Sequence, residues 1–361
     1  MSHAGAQPTW KLTALAVLFL AAGLHLSAQG APYIPKDHPL AQKPSGLLAG
    51  VNAATTYSGF RHGQHPDRGN GEINPTEAQF LEDLRLLSRD KDCGMMRLYD
   101  SQENAKIVLK LIRREKLPMK VLLGAWLTAE VHNPNCPWLT APIPQATLDA
   151  NKLENQKELA RCIALAKEYA DIVVAVNVGN ECQVEWNDHL VPEESLIGYI
   201  RAVKKAIKQP VTTSDNYDWW AKRGARVAKE VDFVAVHTYP EWENKSIDEA
   251  VPFTIANMQA VRNAMPTSQL VITEAGWATV SYEFGPRACE ENQKRYINEL
   301  LKWSKSVNIT CFIFEAFDED WKGDPNNPMA AEKHWGVFTI DRKPKLVMQE
   351  KFADLIPVKA K

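Results

Sequence analysis

Apolar residues in this chain come in short dense runs, separated by longer stretches in which they recur every third or fourth position. The runs occupy 47–53, 93–99, 120–127, 171–178, 209–213, 231–237, 269–273 and 308–314. A short continuous apolar run bounded by turn residues reads as a strand buried on both faces. The intervening stretches carry helical spacing. The first opens with Asn74-Pro75-Thr76-Glu77: a cap residue, a proline for the first turn and a glutamate at the capping-box position. Phe80, Leu84 and Leu87 then fall on one face. The second helix starts at Ser101 and buries Ile107, Val108, Leu111 and Ile112. Others are expected near 153–169, 194–207, 219–229, 247–264, 287–306 and 344–355. Parallel neighbours need long crossovers, so strict strand-helix alternation predicts a parallel sheet. Eight units predict closure into a (β/α)8 TIM barrel, an α/β fold forming a single domain over 47–361. An open doubly wound sheet would more often carry a glycine-rich turn after its first strand. Here Val51-Asn52-Ala53-Ala54-Thr55-Thr56-Tyr57 follows, and no Walker motif occurs.

The N-terminus departs from this rhythm. Leu12 to Leu26 is almost purely apolar, with Lys11 before it and Leu26-Ser27-Ala28 after it. Residues 1–28 therefore read as a signal peptide, with an uncleaved anchor as the alternative. The run is shorter than the roughly 20 residues a spanning helix needs, and His25 interrupts its end. The expected location is periplasmic or extracellular. Residues 29–46, with Pro32, Pro35, Pro39 and Pro44, form an irregular lead-in.

Composition narrows the partners. With 42 basic against 44 acidic residues the net charge is −2, which argues against a binder driven by nucleic-acid phosphates. No membrane contact is expected beyond the N-terminal segment, and the chain is expected to be a monomer. None of the six cysteines shows CxxC spacing. Cys136 and Cys182 both follow strands on one end of the sheet and form a candidate disulfide. His62, His65, His132 and His189 are scattered, and Asp318-Glu319-Asp320 alone would make an unusual calcium site. No metal or cofactor is expected.

The chemistry lies in two phrases. Val-Asn-Val-Gly-Asn-Glu ends at Glu181, and Val-Ile-Thr-Glu-Ala-Gly-Trp carries Glu274. Each places a carboxylate at the end of an apolar strand, and in such a barrel the active site lies at the C-terminal strand ends. By chain order these are strands four and seven, nearly opposite around the mouth. Paired carboxylates facing across a cleft suggest sugar-bond cleavage. A separation of about 5–5.5 Å suits a retaining enzyme and a wider gap an inverting one. One glutamate must be ionised to attack and the other protonated to donate. Of the 11 tryptophans, Trp126, Trp138, Trp186, Trp219, Trp220, Trp242, Trp277, Trp321 and Trp335 lie at strand ends or just beyond. Indoles there can stack on sugar rings, though about half are expected only to pack, as is Trp303 within the seventh helix.

Read together, these phrases resemble glycoside hydrolase family 17, the β-1,3-glucanase family. The resemblance rests on Arg97-Leu98-Tyr99-Asp100, Val178-Gly179-Asn180-Glu181, Thr273-Glu274-Ala275-Gly276-Trp277, the segment Phe312 to Lys322, and Glu332 to Phe338. It covers roughly 47–345 and is closer to bacterial members than to plant ones. Alanine stands where plant members often have threonine after the second glutamate. The resemblance implies that Glu181 is the acid/base and Glu274 the nucleophile. Asn180 would bind the sugar 2-hydroxyl and Tyr239 would hydrogen-bond the nucleophile. Glu319 and Lys322 would be a charged pair ordering the site, with a simple loop salt bridge as the alternative. Arg97 is expected to orient carboxylates. His237 is read equally as a structural histidine or a substrate contact. Tyr99, Trp277 and Trp321 complete the supporting set. The implied activity is hydrolysis of β-1,3-glucan by double displacement. Transglycosylation by the same glutamates is the first rival. A glucan-binding barrel without activity is the second, and a Schiff-base aldolase, lacking a lysine at a strand end, is the last.

Overall fold

The computed structural model describes residues 38–67 and 71–356. The expected signal segment and the first part of the lead-in lie outside them. Among the described residues no helix is long and apolar enough to cross a membrane. Eight strands form a closed barrel: β1 (Ala53–Thr56), β2 (Cys93–Arg97), β3 (Lys120–Ala125), β4 (Val173–Asn180), β5 (Val211–Asn216), β6 (Val234–His237), β7 (Leu270–Ala275) and β8 (Cys311–Ile313). All neighbours are parallel and β8 closes on β1. Between them run α1 (Glu77–Leu87), α2 (Glu103–Arg114), α3 (Gln145–Glu168), α4 (Glu193–Ala206), α5 (Tyr217–Lys222), α6 (Ile247–Ala264) and α7 (Glu290–Val307).

The strands are apolar on both faces because both are covered. One face fills the barrel with Ala54, Met95, Leu122, Ala175, Ala235, Val271 and Phe312. The other, including Met96, Val121, Leu123, Val176, Val236 and Ile272, packs under the helices. Complete burial of one such Leu, Ile, Val or Met side chain contributes about 1.5–3 kcal/mol.

The structure corrects several expected boundaries. The run 47–53 is not the first strand. Leu48–Gly50 is a 3-10 turn with Ala49 at φ +50°, and Leu48 joins Phe233 and Phe312 inside the barrel. A run that plugs a barrel looks in sequence like one that lines it. The helix expected at 219–229 stops at Lys222, with Arg223 as its cap and Gly224 just beyond, the usual place for a glycine that ends a helix; an added Cβ there would run into Trp220. A 3-10 turn at Val227–Lys229 follows. Segment 344–355 is a chain of turns ending in the 3-10 turn Ala353–Leu355, not an eighth helix. Its start is held in place: Lys345 N donates to Val337 O at 3.1 Å and Lys345 Nζ to Asp318 Oδ1 at 2.7 Å. The cap of α1 is Thr76, whose Oγ1 accepts from Gln79 N at 3.2 Å while Gln79 Oε1 accepts from Thr76 N at 2.9 Å. Asn74 and Glu77 do not make that box. All six cysteines carry free thiols. Cys182 is fully buried against Gly179, where an added Cβ would lie 2.7 Å from its Sγ, and Cys136 does not bond to it.

Candidate active site

Both marked glutamates stand where a strand departs from regular register. On β4, Asn177 pairs with Thr212 but Asn180 with Ser214, leaving an extra residue on β4. On β7, Ile272 pairs with Val236 but Glu274 with His237. Such bulges bend the strand and re-aim the following side chain. The first ends in unusual backbone: Gly179 has φ +78° and Glu181 itself φ +48°. For a residue with a Cβ this left-handed conformation costs roughly 1–3 kcal/mol and persists only where the surroundings impose it.

The re-aimed side chains meet. Glu274 Oε1 accepts from Arg97 Nη1 at 2.8 Å and from Tyr99 OH at 3.0 Å, and its Oε2 accepts from Tyr239 OH at 2.5 Å. Arg97 is wholly buried. It also reaches Thr273 O at 3.2 Å, Asn180 Oδ1 at 2.5 Å and His237 Nε2 at 3.1 Å. A guanidinium only donates, so His237 Nε2 is the acceptor and the ring proton sits on Nδ1. That proton points to Glu181 Oε1, 2.9 Å away, while Nε2 lies 3.5 Å from Glu274 Oε1. One imidazole therefore spans both carboxyl groups. Arg97, expected to orient carboxylates, lies against that of Glu274, and His237 lies between both carboxyl groups.

Burial pushes the Glu274 carboxyl up, while a protonated His237, Arg97 and the hydroxyls of Tyr239 and Tyr99 pull it down, and with all of these acting it lies below the ordinary range. Arg97 and the phenols act in that sense whatever charge His237 carries. The Glu181 side chain is 22% exposed against 7% for Glu274, so the former meets solvent and the latter a ring of donors.

The wall beside Tyr99 is also charged. Lys322 Nζ pairs with Glu319 Oε2 at 2.8 Å and with Glu315 Oε2 at 2.5 Å. Ser58 donates to the other Glu319 oxygen. The pair expected at 319 and 322 is thus buried, not a loop surface bridge. Burial opposes the Lys322 charge, but Glu315 and Glu319 outweigh it and raise the ammonium's proton affinity. Burial lifts Glu315 well above the usual range, with Lys322 opposing and Glu319 adding. Glu332 is pushed to about 7, first by burial, with Lys322 opposing and Glu274 and Glu181 adding. Neither Glu315 nor Glu332 is marked for a role by the sequence reading. Glu315 has the same signature as the two chosen glutamates, a carboxylate at the end of an apolar run. Glu332 lies in a loop with no such signal.

Glu241, two residues past Tyr239, is a third that sequence reasoning misses. It is wholly buried, and its Oε2 accepts from Ala278 N at 2.5 Å. Its Oε1 has no hydrogen-bond partner among the described residues. Burial raises it from 4.5 to about 8, against the Ala278 bond and Arg287. Across that window the folded chain keeps a proton that the unfolded chain has released, so the group's contribution to stability declines as pH rises and levels off above about 8. Glu241→Gln is expected to remove the decline. Urea unfolding should show the variant gaining on the parent from pH 5 to pH 8.5; an unchanged difference would contradict the assignment.

The tryptophans divide as expected. Trp219, Trp220, Trp277, Trp303 and Trp335 are buried, while Trp138, Trp186 and Trp242 are 57%, 42% and 45% exposed. Trp277 is a correction to the expected sugar-side set. It has no exposed surface, and its indole N–H donates to Arg287 O at 2.9 Å, so it packs the barrel top. Trp321 packs edge-on against Phe60 with ring centres 5.7 Å apart. Trp242 rests on Phe284 and Trp335, and Trp335 on Tyr239, giving a run of rings from the rim to Glu274. A cavity of about 500 Å³ lies away from this site, between α7 and the turns at 347–352 that replace the expected helix. Among the described residues no group of three or more His, Cys, Asp or Glu is placed to hold a metal ion.

Two carboxyl groups at the mouth of such a barrel, one partly exposed and one ringed by donors, joined by one imidazole, are the working parts of glycosidic-bond chemistry; the class is that of the barrel glycoside hydrolases. The chain belongs to the BtgE/BtgC glycoside hydrolase domain family, which matches residues 55–336. It is 32% identical over 196 residues to a glucan 1,3-β-glucosidase of Arthroderma benhamiae, covering 48% of this chain and 61% of that one. It is 27% identical over 297 residues to a putative glucan endo-1,3-β-glucosidase of Aspergillus niger, covering 75% and 40%. The chain thus spans less than two thirds of these two relatives. An endo-laminarinase structure from Formosa Hel1_33_131 superposes with a TM-score of 0.72 at 25% identity, over 86% of this chain and 87% of that one. A glycoside hydrolase family 17 β-1,3-glucanosyltransferase from Rhizomucor miehei shares the fold, with a TM-score of 0.63 at 22% identity over 84% and 97%. These findings agree with the family 17 resemblance; they do not bear on whether the chain is a bacterial-type member.

Proposed function

We propose that the protein is a retaining glycosidase that cleaves β-1,3-glucan by double displacement. The observation that carries this reading is the contrast between the two carboxyl groups that His237 joins. Glu274, held ionised by Arg97, Tyr99 and Tyr239, attacks the anomeric carbon. Glu181 gives its proton to the leaving glycosidic oxygen, and that C–O bond breaks as the Glu274 ester forms. Glu181 then takes a proton from water, which attacks the same carbon and releases Glu274. Asn180, fixed by Arg97 Nη2, is the residue for the sugar 2-hydroxyl. The β-1,3 linkage is supported by relatives named for action on 1,3-β-glucan.

Transfer to an acceptor sugar is the second reading. The exposed tryptophans at the rim and the shared fold of a named β-1,3-glucanosyltransferase favour it. Incubation with reducing-end-labelled laminari-oligosaccharides, followed by mass analysis, separates the two: shorter products alone mean hydrolysis, and products longer than the substrate mean transfer. No product of either kind would contradict both. The apolar run at 12–26 supports export, which N-terminal sequencing of the mature protein would test.

A further inference from the structure

We infer that Asp215 is the positioning residue that holds the acid/base glutamate in its working orientation. The inference rests on the reading of Glu181 given above and concerns a residue with no other part in it. Asp215 is the fifth residue of β5, is only 1% exposed, and so touches no substrate. Its Oδ2 accepts from Gln183 N at 3.1 Å and its Oδ1 from Asn216 N at 2.8 Å. One residue earlier, Ser214 O accepts from Glu181 N at 2.8 Å. Two adjacent residues of β5 thus grip the backbone on either side of Cys182, directly behind the glutamate.

That grip acts where the chain most needs it. The extra residue on β4 and the positive φ of Gly179 and Glu181 turn the chain against its ordinary preference. Without a partner, Gln183 N would be a half-buried donor left unsatisfied, and the turn could relax. A buried carboxylate is itself an unfavourable thing to keep. Asp215 forms no ion pair among the described residues; burial first, and the Glu181 charge second, push its proton affinity well up. A polar group held at such a cost, with one hydrogen bond into the strained turn and another anchoring it to its own strand, acts on that turn. His237 Nδ1 and the Asn187 amide, which donates to Glu181 O, fix the remaining directions.

The test uses the dependence on leaving group. A dinitrophenolate needs no proton to depart, whereas a sugar oxygen does. A displaced Glu181 therefore lowers kcat/KM for glucan and spares kcat/KM for an activated aryl glycoside, since that parameter ends at glycosyl-enzyme formation, before Glu181 is needed as a base. General structural damage slows both. Asp215→Ala in the full chain is expected to lower kcat/KM for laminarin about tenfold to a hundredfold, a partial loss at or below the lower end of the roughly 10²–10⁴ that general acid catalysis supplies. For 2,4-dinitrophenyl β-laminaribioside the loss should stay under about threefold. Asp215→Leu, which also lacks an acceptor but fills the space, is read the same way should the alanine variant fail to fold, and circular dichroism checks both. Equal losses on the two substrates, or no loss on laminarin, would overturn the inference while leaving the functional reading intact. An unmodified protein inactive on both substrates would overturn the reading and the inference together.

Discussion

Replacing Glu274 by alanine is expected to cut turnover of laminari-oligosaccharides on the order of 10⁴- to 10⁶-fold, the scale on which loss of a nucleophile acts elsewhere. The alanine leaves room on the face from which Glu274 would attack. Azide entering there should restore turnover of an activated β-glycoside and give the α-glycosyl azide, because one displacement now replaces two. Glu274→Gln keeps an acceptor oxygen for Arg97 and Tyr99 and turns an amide donor toward the Tyr239 hydroxyl, which can accept, so it should fold and bind glucan while remaining inactive. A barrel that only bound glucan would show neither the loss nor the rescue. Rates by reducing-sugar assay and the azide product by NMR decide between these.

The second large effect falls on stability. Arg97 and Glu274 form a 2.8 Å ion pair with side chains 0% and 7% exposed. Arg97→Leu would leave a buried carboxylate without its cation, and breaking a buried pair in this way costs about 3–5 kcal/mol. The cost should depend on pH with a defined sign. Glu274 is held below its ordinary 4.5 in the folded chain, so the pair contributes fully above that value and loses its contribution as pH falls through the lowered folded value. Urea unfolding should therefore show a wide gap between parent and variant at pH 7 that narrows below about pH 4.5. A gap that stays constant or widens in acid would contradict the ionised assignment of Glu274. Activity should fall too, since Arg97 also fixes Asn180 and the His237 tautomer.

Much of this arrangement is legible in the order of residues alone. A barrel strand is apolar on both faces, so seven of the eight runs fall within a few residues of a real strand. Glu181 and Glu274 stand out because a carboxylate ending such a run has no packing reason to be there. The parts that escape depend on contacts distant in sequence. Leu48 plugs the barrel instead of lining it because Phe233 and Phe312 meet it there. The eighth helix is absent because Lys345 is drawn to Asp318 and Val337. Asp215 and Glu241 sit among residues that read as ordinary strand end and loop, and only the folded chain shows them buried against backbone N–H groups. The bulges that aim the two glutamates leave no trace in composition at all, apart from Gly179, whose φ of +78° ordinary residues avoid.

In a retaining cleavage the sugar is displaced twice on one carbon. Proton NMR of the anomeric signal, recorded within the first minutes of laminari-oligosaccharide cleavage and before mutarotation, reports that directly. The newly released reducing end should appear first as the β-anomer, with the α-anomer growing in only as the sugar equilibrates. An α-anomer formed first would mean a single displacement by water, and Glu274 could not then be the nucleophile.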